Sequence, residues 1–237
     1  MNVVRIAELL EPFFGSGPVR LTDARLAHIS TYIDLLRRWN ARVNLTAIRD
    51  PEEIVTRHFG ESLFAARHLF PPHDHSATAE PVASGRVTLA DIGSGAGFPG
   101  IPIKLWAPEI ALTLVESNQK KAVFLREVCR GLGLAGVKVE NARAETLTGQ
   151  AFDIVTLRAV ERFTDVLGVA ASLVRPSGRL ALLVSSSQVK TAESMLSQFR
   201  WDAPTLIPMS ESRQLLVGRN DLIRERASWE SRSPTSR

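Results

Sequence analysis

A glycine-rich segment at residues 91–100, with the sequence DIGSGAGFPG, constrains the fold of this chain more than any other feature. It directly follows an apolar segment that predicts a strand, and Pro99 can open a helix behind it. Glycines let the backbone turn sharply and come close to a ligand. Parallel α/β sheets bind ligands at the carboxyl ends of their strands. The segment therefore predicts an α/β fold whose ligand site lies at this turn.

Strand and helix patterns alternate after residue 86, which is typical of βαβ units in a mostly parallel sheet. Strands are predicted at residues 87–92, 111–115, 137–139, 152–157 and 179–184, with an antiparallel pair at 201–207 and 214–217. Helices are predicted at residues 21–40, from Asp50 to about Leu69, after Asn118 and at 188–199. We expect a helical N-terminal extension with a linker (1–85), an α/β domain (86–219) and a flexible tail (220–237).

The composition is that of a globular protein with a basic surface. The 237 residues carry a formal net charge of +4, which favours a polyanionic partner, although many basic proteins bind no nucleic acid. The single cysteine, Cys129, excludes an internal disulfide and a multi-cysteine zinc site, so a cytoplasmic location is the default. No apolar run approaches the roughly 20 residues of a membrane helix. His73 and His75 lack further ligands, and no metal site is predicted.

Two cofactors compete for the glycine-rich turn. The G-x-G-x-x-G spacing at residues 95–100 formally matches the dinucleotide fingerprint. However, the glycines begin directly after the strand acid, and the D-x-G-x-G-x-G spacing at 91–97 resembles the methyltransferase loop that cradles the amino-acid end of S-adenosylmethionine. Pro99 and Pro102 also remove amide donors that a pyrophosphate site might use. The sequence favours S-adenosylmethionine, with Gly93 and Gly95 in its loop.

Acidic residues at three strand ends are candidate cofactor contacts. Asp91 can reach the ligand directly or through water. Glu116, at the end of the second strand, can accept hydrogen bonds from both ribose hydroxyls, unless it is a solvated strand-end acid. Glu145 follows the third strand, where a backbone amide and a carboxylate can hold the adenine edge.

Several motifs outside the turn resemble one family. They are W-N-x-x-x-N-L-T at residues 39–46, R-H-x-x-E-S at 57–62, F-P-G-I-P at 98–102, SNQKKAVFLR at 117–126 and Arg158-Ala159. Over residues 20–219 the chain closely resembles the ribosomal RNA small subunit methyltransferase G family, also called glucose-inhibited division protein B. The resemblance implies a Rossmann-like class I S-adenosylmethionine-dependent methyltransferase, with a helical N-terminal extension packed on a seven-stranded, mostly parallel sheet. Residues 86–219 are then the methyltransferase domain.

The resemblance also implies a reaction. The expected activity is methylation of N7 of a guanosine in 16S small-subunit ribosomal RNA, in a loop near the decoding region; the alternative is methylation of another RNA or a small molecule. The family's cofactor positions correspond to Gly93, Phe98, Ala144, Glu145 and Arg158. Guanine N7 has an in-plane lone pair and no proton to lose, so no catalytic base is predicted. The expected partner is small-subunit rRNA or an assembling small subunit, bound by a monomer.

Four residues are candidates for contacting RNA. Arg57 can hold a phosphate or pair with Glu61 one helical turn away. His58 can act at the site or be a helix histidine satisfied by Glu61 or Ser62. Asn44 can bridge the N-terminal part to the pocket or cap a turn, and Arg213 is expected at a cofactor, phosphate or carbonyl group.

The chain departs from the family pattern at three places. Glu61 stands where the family usually has an aspartate, and Gln214 stands where a histidine usually follows Arg213. The serines at 185–187 replace a common lysine-glycine pair, which weakens the expectation of a basic RNA contact there.

Overall fold

The computed structural model describes residues 1–15, 20–71, 86–147, 149–160 and 162–221. The helices are α1 (Val3–Leu10), α2 (Asp23–Asn40), α3 (Pro51–Glu53), α4 (Glu61–Leu69), α5 (Gly100–Trp106), α6 (Gln119–Gly131), α7 (Phe163–Ser172) and α8 (Ser186–Met195). The strands are β1 (Thr88–Ile92), β2 (Ala111–Val115), β3 (Val137–Glu140), β4 (Phe152–Arg158), β5 (Val174–Ser185), β6 (Phe199–Trp201), β7 (Thr205–Leu206) and β8 (Arg213–Asn220). A π-helical stretch, Ile54–Gly60, joins α3 to α4 without a break.

The strands form one sheet with the order β3-β2-β1-β4-β5-β8-β6, and the short β7 pairs with β8. Strands β1 to β5 are parallel to one another, whereas β8 runs antiparallel to β5 and to β6. The predicted mostly parallel sheet is therefore confirmed. The predicted strand at 201–207 is instead two short strands, β6 and β7, which both pair antiparallel with β8. Among the described residues, the seven strands along the main path match the expected number, and β7 is an addition of two residues.

Helices cover both faces of the sheet because successive strand residues point to opposite sides. Leu89 of β1 packs into a core shared with α1, α2, α4, α5 and α6, whereas its neighbours Ala90 and Ile92 pack into a core with α7 and α8. The N-terminal helical part is thus one layer of the same molecule. It continues the hydrophobic core of the sheet up to the turn after β1.

Capping residues explain where three helices begin. Thr22 and Asp50 each accept a hydrogen bond from the backbone amide three residues on, and Asn118 accepts from the amides of residues 120 and 121. Each of these side chains satisfies a backbone donor that the first helical turn leaves unpaired. All three starts agree with the sequence predictions.

Some boundaries differ from the predictions. The short helices α1 and α7 were not predicted, and α8 ends at Met195 rather than near residue 199. Asn220, placed in the predicted tail, is buried in β8, and its Nδ2 donates to the Val174 carbonyl at 2.9 Å. Residues 72–85, with His73 and His75, and 222–237 lie outside the described residues. Within the described ranges, no helix combines the length and the apolar character of a membrane span.

Candidate active site

A cavity of about 460 Å³ opens at the carboxyl ends of β1, β2 and β4. This volume lies within the range of roughly 300–1,000 Å³ that is usual for small-molecule sites. The turn after β1, the segment after β2 and the end of β4 supply Gly93–Ala96, Phe98, Glu116–Asn118, Lys121 and Arg158–Val160. The N-terminal part supplies Leu45, Thr46 and His58. The cavity therefore lies between the sheet edge and the helical N-terminal layer, at the position predicted from the glycine-rich segment.

The turn after β1 depends on glycine because its backbone is left-handed at three places. Gly93, Gly95 and Gly97 have φ angles of +67°, +56° and +90°, which residues with a Cβ adopt only at a cost. A Cβ at Gly95 would meet only the Gly93 carbonyl oxygen, at 3.7 Å, so the side of the turn at Gly95 is open. The turn thus presents bare backbone to the cavity.

Asp91 is fully buried behind this turn. Its Oδ1 accepts a hydrogen bond from the Thr156 hydroxyl at 2.8 Å, and its Oδ2 accepts one from the Gly100 amide at 3.2 Å. Burial raises the pKa of the Asp91 carboxyl to about 6, against the hydrogen bonds that lower it. Asp91 does not line the cavity. Its carboxylate holds the start of α5 against β1 and β4, which does not support a direct ligand contact; the alternative contact through water stays a prediction.

The buried Asp91 carboxyl makes a pH-dependent contribution to stability. A carboxyl with a folded-state pKa near 6 and an unfolded value near 3.8 binds a proton more tightly in the folded state. The free energy of unfolding should therefore fall by about 3 kcal/mol as the pH rises from about 4 to about 6. We expect urea titrations of Asp91→Asn to lack this fall, since an amide has no such proton. Parallel curves for the two proteins from pH 4 to pH 7 would contradict the assignment.

Glu116 is anchored at the cavity wall. Its Oε2 accepts from the Gly95 amide at 2.9 Å and its Oε1 accepts from the Asn118 amide at 2.7 Å. The side chain is buried, so the alternative of a solvated strand-end acid is wrong. Each carboxylate oxygen keeps a second acceptor site, which two hydroxyl groups on neighbouring carbons can use. This geometry suits the predicted ribose contact.

Ala144 and Glu145 lie in a 3₁₀ turn, Ala144–Thr146, after β3. Glu145 is exposed, and neither residue lines the cavity itself. Asn141 ties this segment to the end of β2, because its Nδ2 donates to the carbonyls of Glu116 and Ser117 at 2.9 and 3.1 Å. The 3₁₀ turn after β3 therefore lies beside Glu116 at the same sheet edge. The contact of Ala144 and Glu145 with adenine stays a prediction.

Glu61 binds three arginines that the sequence scatters over more than 150 positions. Its carboxylate, only 2% exposed, accepts from Arg57 Nε at 3.2 Å, Arg158 Nη2 at 3.0 Å and Arg213 Nε at 2.6 Å. The π-helical stretch, β4 and β8 thus meet at one acid. Of the two alternatives for Arg57, the ion pair with Glu61 is formed. The central role of Glu61 itself was not predicted.

Arg158 connects this charge cluster to the cavity. Its Nη2 also donates to the Arg57 carbonyl at 2.6 Å, and its Nη1 lies 3.3 Å from His58 Nδ1. The side chain is 10% exposed and lines the cavity. An arginine fixed in this way presents its remaining N–H groups in one orientation, which suits an anionic ligand group.

His58 is held by neither of the side chains expected from the sequence. Its Nε2 lies 2.8 Å from the Thr46 hydroxyl, and its ring stacks on Phe98 at 4.7 Å between centroids. The Ser62 hydroxyl donates to the His58 backbone carbonyl, not to the ring. Burial, with help from Arg158 and Arg57, lowers the pKa of His58 to about 3. The imidazole is therefore neutral at physiological pH.

Phe98 joins the turn to the N-terminal layer. Its ring stacks between His58 and Tyr32, with the Tyr32 centroid 5.4 Å away and the two rings within 4° of parallel. The Tyr32 hydroxyl donates to the Ala96 carbonyl. The helix α2 thus supports the backbone of the turn, a contact that sequence spacing does not reveal.

Asn44, for which a bridge to the pocket and a turn cap were the alternatives, is exposed, and its neighbours Leu45 and Thr46 line the cavity. The loop is shaped by Asn40, which is buried at the end of α2. The Asn40 Oδ1 accepts from the amides of Leu45 and Thr46, and its Nδ2 donates to the Thr46 carbonyl. The sequence pointed to the motif at residues 39–46, but it did not reveal that Leu45 and Thr46 are the residues that line the cavity.

The residues of the cavity fit the predicted cofactor. The open glycine turn admits a ligand close to the backbone, Glu116 offers acceptors for two hydroxyls, and Arg158 offers donors for a carboxylate. In the part of the chain that the structure describes, no group of three or more histidine, cysteine or acidic side chains forms a metal site.

Comparison with known proteins gives the same assignment. The family model for rRNA small subunit methyltransferase G (GidB) matches residues 25–199. Ribosomal RNA small subunit methyltransferase G of Xanthomonas euvesicatoria is 44% identical over 161 residues, which are 68% of this chain and 69% of that protein. The Stenotrophomonas maltophilia protein of the same name is 44% identical over 67% of this chain and 68% of its own.

Solved structures agree on the fold. The ribosomal protein L11 methylase of Lactobacillus delbrueckii subsp. bulgaricus superposes with a TM-score of 0.53, covering 69% of this chain and 79% of that one. Its sequence identity is 14%, so the likeness concerns the fold alone. Together with the family match and the cavity at the glycine turn, it places the chain in one class. This protein belongs to the rRNA small subunit methyltransferase G family and is an S-adenosylmethionine-dependent methyltransferase.

Proposed function

We propose that this enzyme methylates N7 of a guanosine in 16S ribosomal RNA, in a loop near the decoding region. The observation that carries the proposal is the cavity built jointly by the glycine turn and by Leu45, Thr46 and His58 of the N-terminal layer. The glycine turn and Glu116 suit the methyl donor on one side of the cavity. The N-terminal residues form the opposite wall, where the acceptor base can bind. Two relatives at 44% identity are ribosomal RNA small subunit methyltransferases G, which supports small-subunit rRNA as the substrate class.

The chemistry of guanine N7 agrees with the groups in the cavity. When bound, S-adenosylmethionine supplies an electrophilic methyl group on a positively charged sulfur. Guanine N7 attacks with an in-plane lone pair and releases no proton, so the site needs alignment and exclusion of water rather than a base. His58 is a poor base, since Arg158 occupies its Nδ1 lone pair and its pKa is about 3. Glu116 already accepts two backbone amides.

The charge around the cavity supports an RNA substrate. Arg57 and Arg213 remain 38% and 30% exposed beside the buried Glu61, and Arg57 also pairs with Glu53. With Arg158, three arginines face two acids, and the surplus positive charge attracts phosphate. The N7 edge in A-form RNA lies in a deep and narrow groove, so the target base must sit in a loop or be flipped out. We propose further that the substrate is free rRNA or an assembling small subunit, and that the enzyme acts on it in the cytoplasm as a monomer.

A cleavage experiment tests this function. Chemical cleavage at N7-methylguanosine in 16S rRNA is compared between a strain lacking this gene, the parent strain and the strain complemented with the gene. We expect one cleavage position to disappear on deletion and to return on complementation. An unchanged pattern contradicts the proposed substrate.

The alternative of another RNA or a small molecule is tested with the purified enzyme. Methyl transfer is measured with 16S rRNA, with small subunits and with free guanosine. Transfer to free guanosine that is as efficient as transfer to rRNA would favour the small-molecule alternative.

A further inference from the structure

The Thr46 hydroxyl has two hydrogen-bond donors directed at it. The Ile48 amide donates to Thr46 Oγ1 at 3.1 Å, and the His58 Nε2 lies 2.8 Å from the same oxygen. A hydroxyl oxygen has two acceptor lone pairs and one proton of its own. Whether both lone pairs are used depends on which nitrogen of His58 carries its proton.

Arg158 decides the tautomer of His58. A guanidinium has five N–H donors and no acceptor, so the contact of Arg158 Nη1 with His58 Nδ1 requires a lone pair on Nδ1. A neutral imidazole carries one proton, and the lowered pKa of His58 keeps the ring neutral. The proton is therefore on Nε2 and is donated to Thr46. Both lone pairs of the Thr46 oxygen are then engaged.

The proton of the Thr46 hydroxyl has no acceptor among the described residues, whereas the residue lines the cavity. Asn40 fixes the backbone on either side of the side chain through bonds to the Thr46 amide and carbonyl at 3.1 and 2.9 Å. Thr46 is thus an immobilised hydroxyl that can donate to a ligand but cannot accept from one.

We propose that Thr46 donates this hydrogen bond to O6 of the target guanine and so selects guanine over adenine. The proposal rests on the proposed function. O6 lies next to N7 on the same edge of guanine, whereas adenine carries an N6 amino donor there. An ordinary hydroxyl turns to accept from an amino group, and so tolerates both bases. The Thr46 hydroxyl cannot, because Ile48 and His58 already occupy its lone pairs.

The location of Thr46 fits a contact with the base rather than with the methyl donor. The residues predicted to contact S-adenosylmethionine belong to the turn after β1 and to the ends of β2, β3 and β4. Thr46 belongs to the loop after α2, on the N-terminal wall of the same cavity. Arg158, His58 and Thr46 form one chain, so the charge cluster at Glu61 acts on base selection through two intermediate residues. His58 is a positioning residue in this chain.

Base analogues in the RNA test the contact directly. The full-length enzyme is assayed on small-subunit substrate carrying guanine or 2-aminopurine at the target position; 2-aminopurine keeps N7 and the 2-amino group but lacks O6. For the wild type, kcat/KM should fall about tenfold on 2-aminopurine, the effect of one lost hydrogen bond. Thr46→Val should be about tenfold slower on guanine and show no further loss on 2-aminopurine. Thr46→Ser, which keeps the hydroxyl, should discriminate like the wild type.

Three outcomes overturn the proposal. They are a wild type indifferent to O6, a Thr46→Val variant that retains the tenfold discrimination, and a variant whose main defect is weaker S-adenosylmethionine binding by calorimetry. If the valine variant does not fold, Thr46→Ala, which leaves room for water at His58 and Ile48, takes its place with the same expectation. Failure of the proposed function looks different, because the wild type would then be inactive on the guanine substrate.

Discussion

Replacing Glu61 by glutamine is expected to lower the free energy of unfolding by about 3–5 kcal/mol, the usual cost of removing one partner from a buried charge cluster. The Glu61 carboxylate, 2% exposed, is the common counterion of Arg57, Arg158 and Arg213. A glutamine has the same size but no charge, and its NH₂ group places donors against guanidinium donors. The three arginines would then repel one another around an uncharged centre.

The same change should reduce activity beyond its effect on stability. Arg158 is oriented by Glu61 Oε2, and it in turn orients His58 at the cavity wall. Loss of the acid allows Arg158 to shift. We expect a lower kcat/KM for rRNA methylation in the fraction of Glu61→Gln that remains folded.

Urea denaturation measures the stability effect, with two matched controls. Glu61→Asp keeps the charge, and aspartate is the residue usual at this position in the family. Its free energy of unfolding should therefore fall less than that of Glu61→Gln. Glu52→Gln removes one partner of an exposed pair with Arg5 and should cost far less than Glu61→Gln, since solvent screens the pair. A Glu61→Gln protein as stable as Glu52→Gln would show that the cluster does not stabilise the fold.

Local chemistry explains what the sequence predicts correctly. The caps Thr22, Asp50 and Asn118 act within a few residues of themselves, and each starts a helix where it was expected. The position of the cavity also follows from sequence, because ligands bind at the carboxyl ends of parallel strands and glycines directly after such a strand let the backbone turn sharply there. Glu116, at the end of the adjacent parallel strand, reaches that turn for the same reason.

Contacts between distant segments were beyond sequence reasoning. Arg213 was a candidate for a cofactor, phosphate or carbonyl contact, yet it binds Glu61, because a charged residue type does not reveal which partner folding places beside it. For Arg57 the sequence left a phosphate and Glu61 open, and the structure forms the pair with Glu61. The π-helical stretch Ile54–Gly60 has no periodicity of its own that distinguishes it from an α-helix. Asp91, for which a ligand contact directly or through water was predicted, accepts from the amide of Gly100 behind the turn, nine residues along the chain. Only the tertiary arrangement supplies these facts.

Replacing Gly97 by alanine is expected to lower the free energy of unfolding by about 3 kcal/mol and to weaken S-adenosylmethionine binding at least tenfold. Two costs add at this position. The φ angle of +90° strains any residue with a Cβ, by about 1–2 kcal/mol. The new Cβ would also overlap the Tyr32 hydroxyl and lie 2.7 Å from Ile101 Cδ1, and overpacking of this kind costs about 1–3 kcal/mol. Relief requires the turn to move, and the turn forms the cofactor cavity.

Two further variants separate strain from collision. Gly133→Ala has a similar backbone, with φ +60°, but no atom within 4 Å of the new Cβ, so it should cost only about 1 kcal/mol and leave cofactor affinity unchanged. Tyr32→Phe removes the closest colliding atom, and the double variant with Gly97→Ala should therefore be about 1 kcal/mol more stable than the sum of the single changes predicts. Denaturation curves and calorimetric titration with S-adenosylmethionine measure both quantities. Equal effects of Gly97→Ala and Gly133→Ala on stability and on affinity would mean that the packing of Tyr32 against the turn does not support the cofactor site.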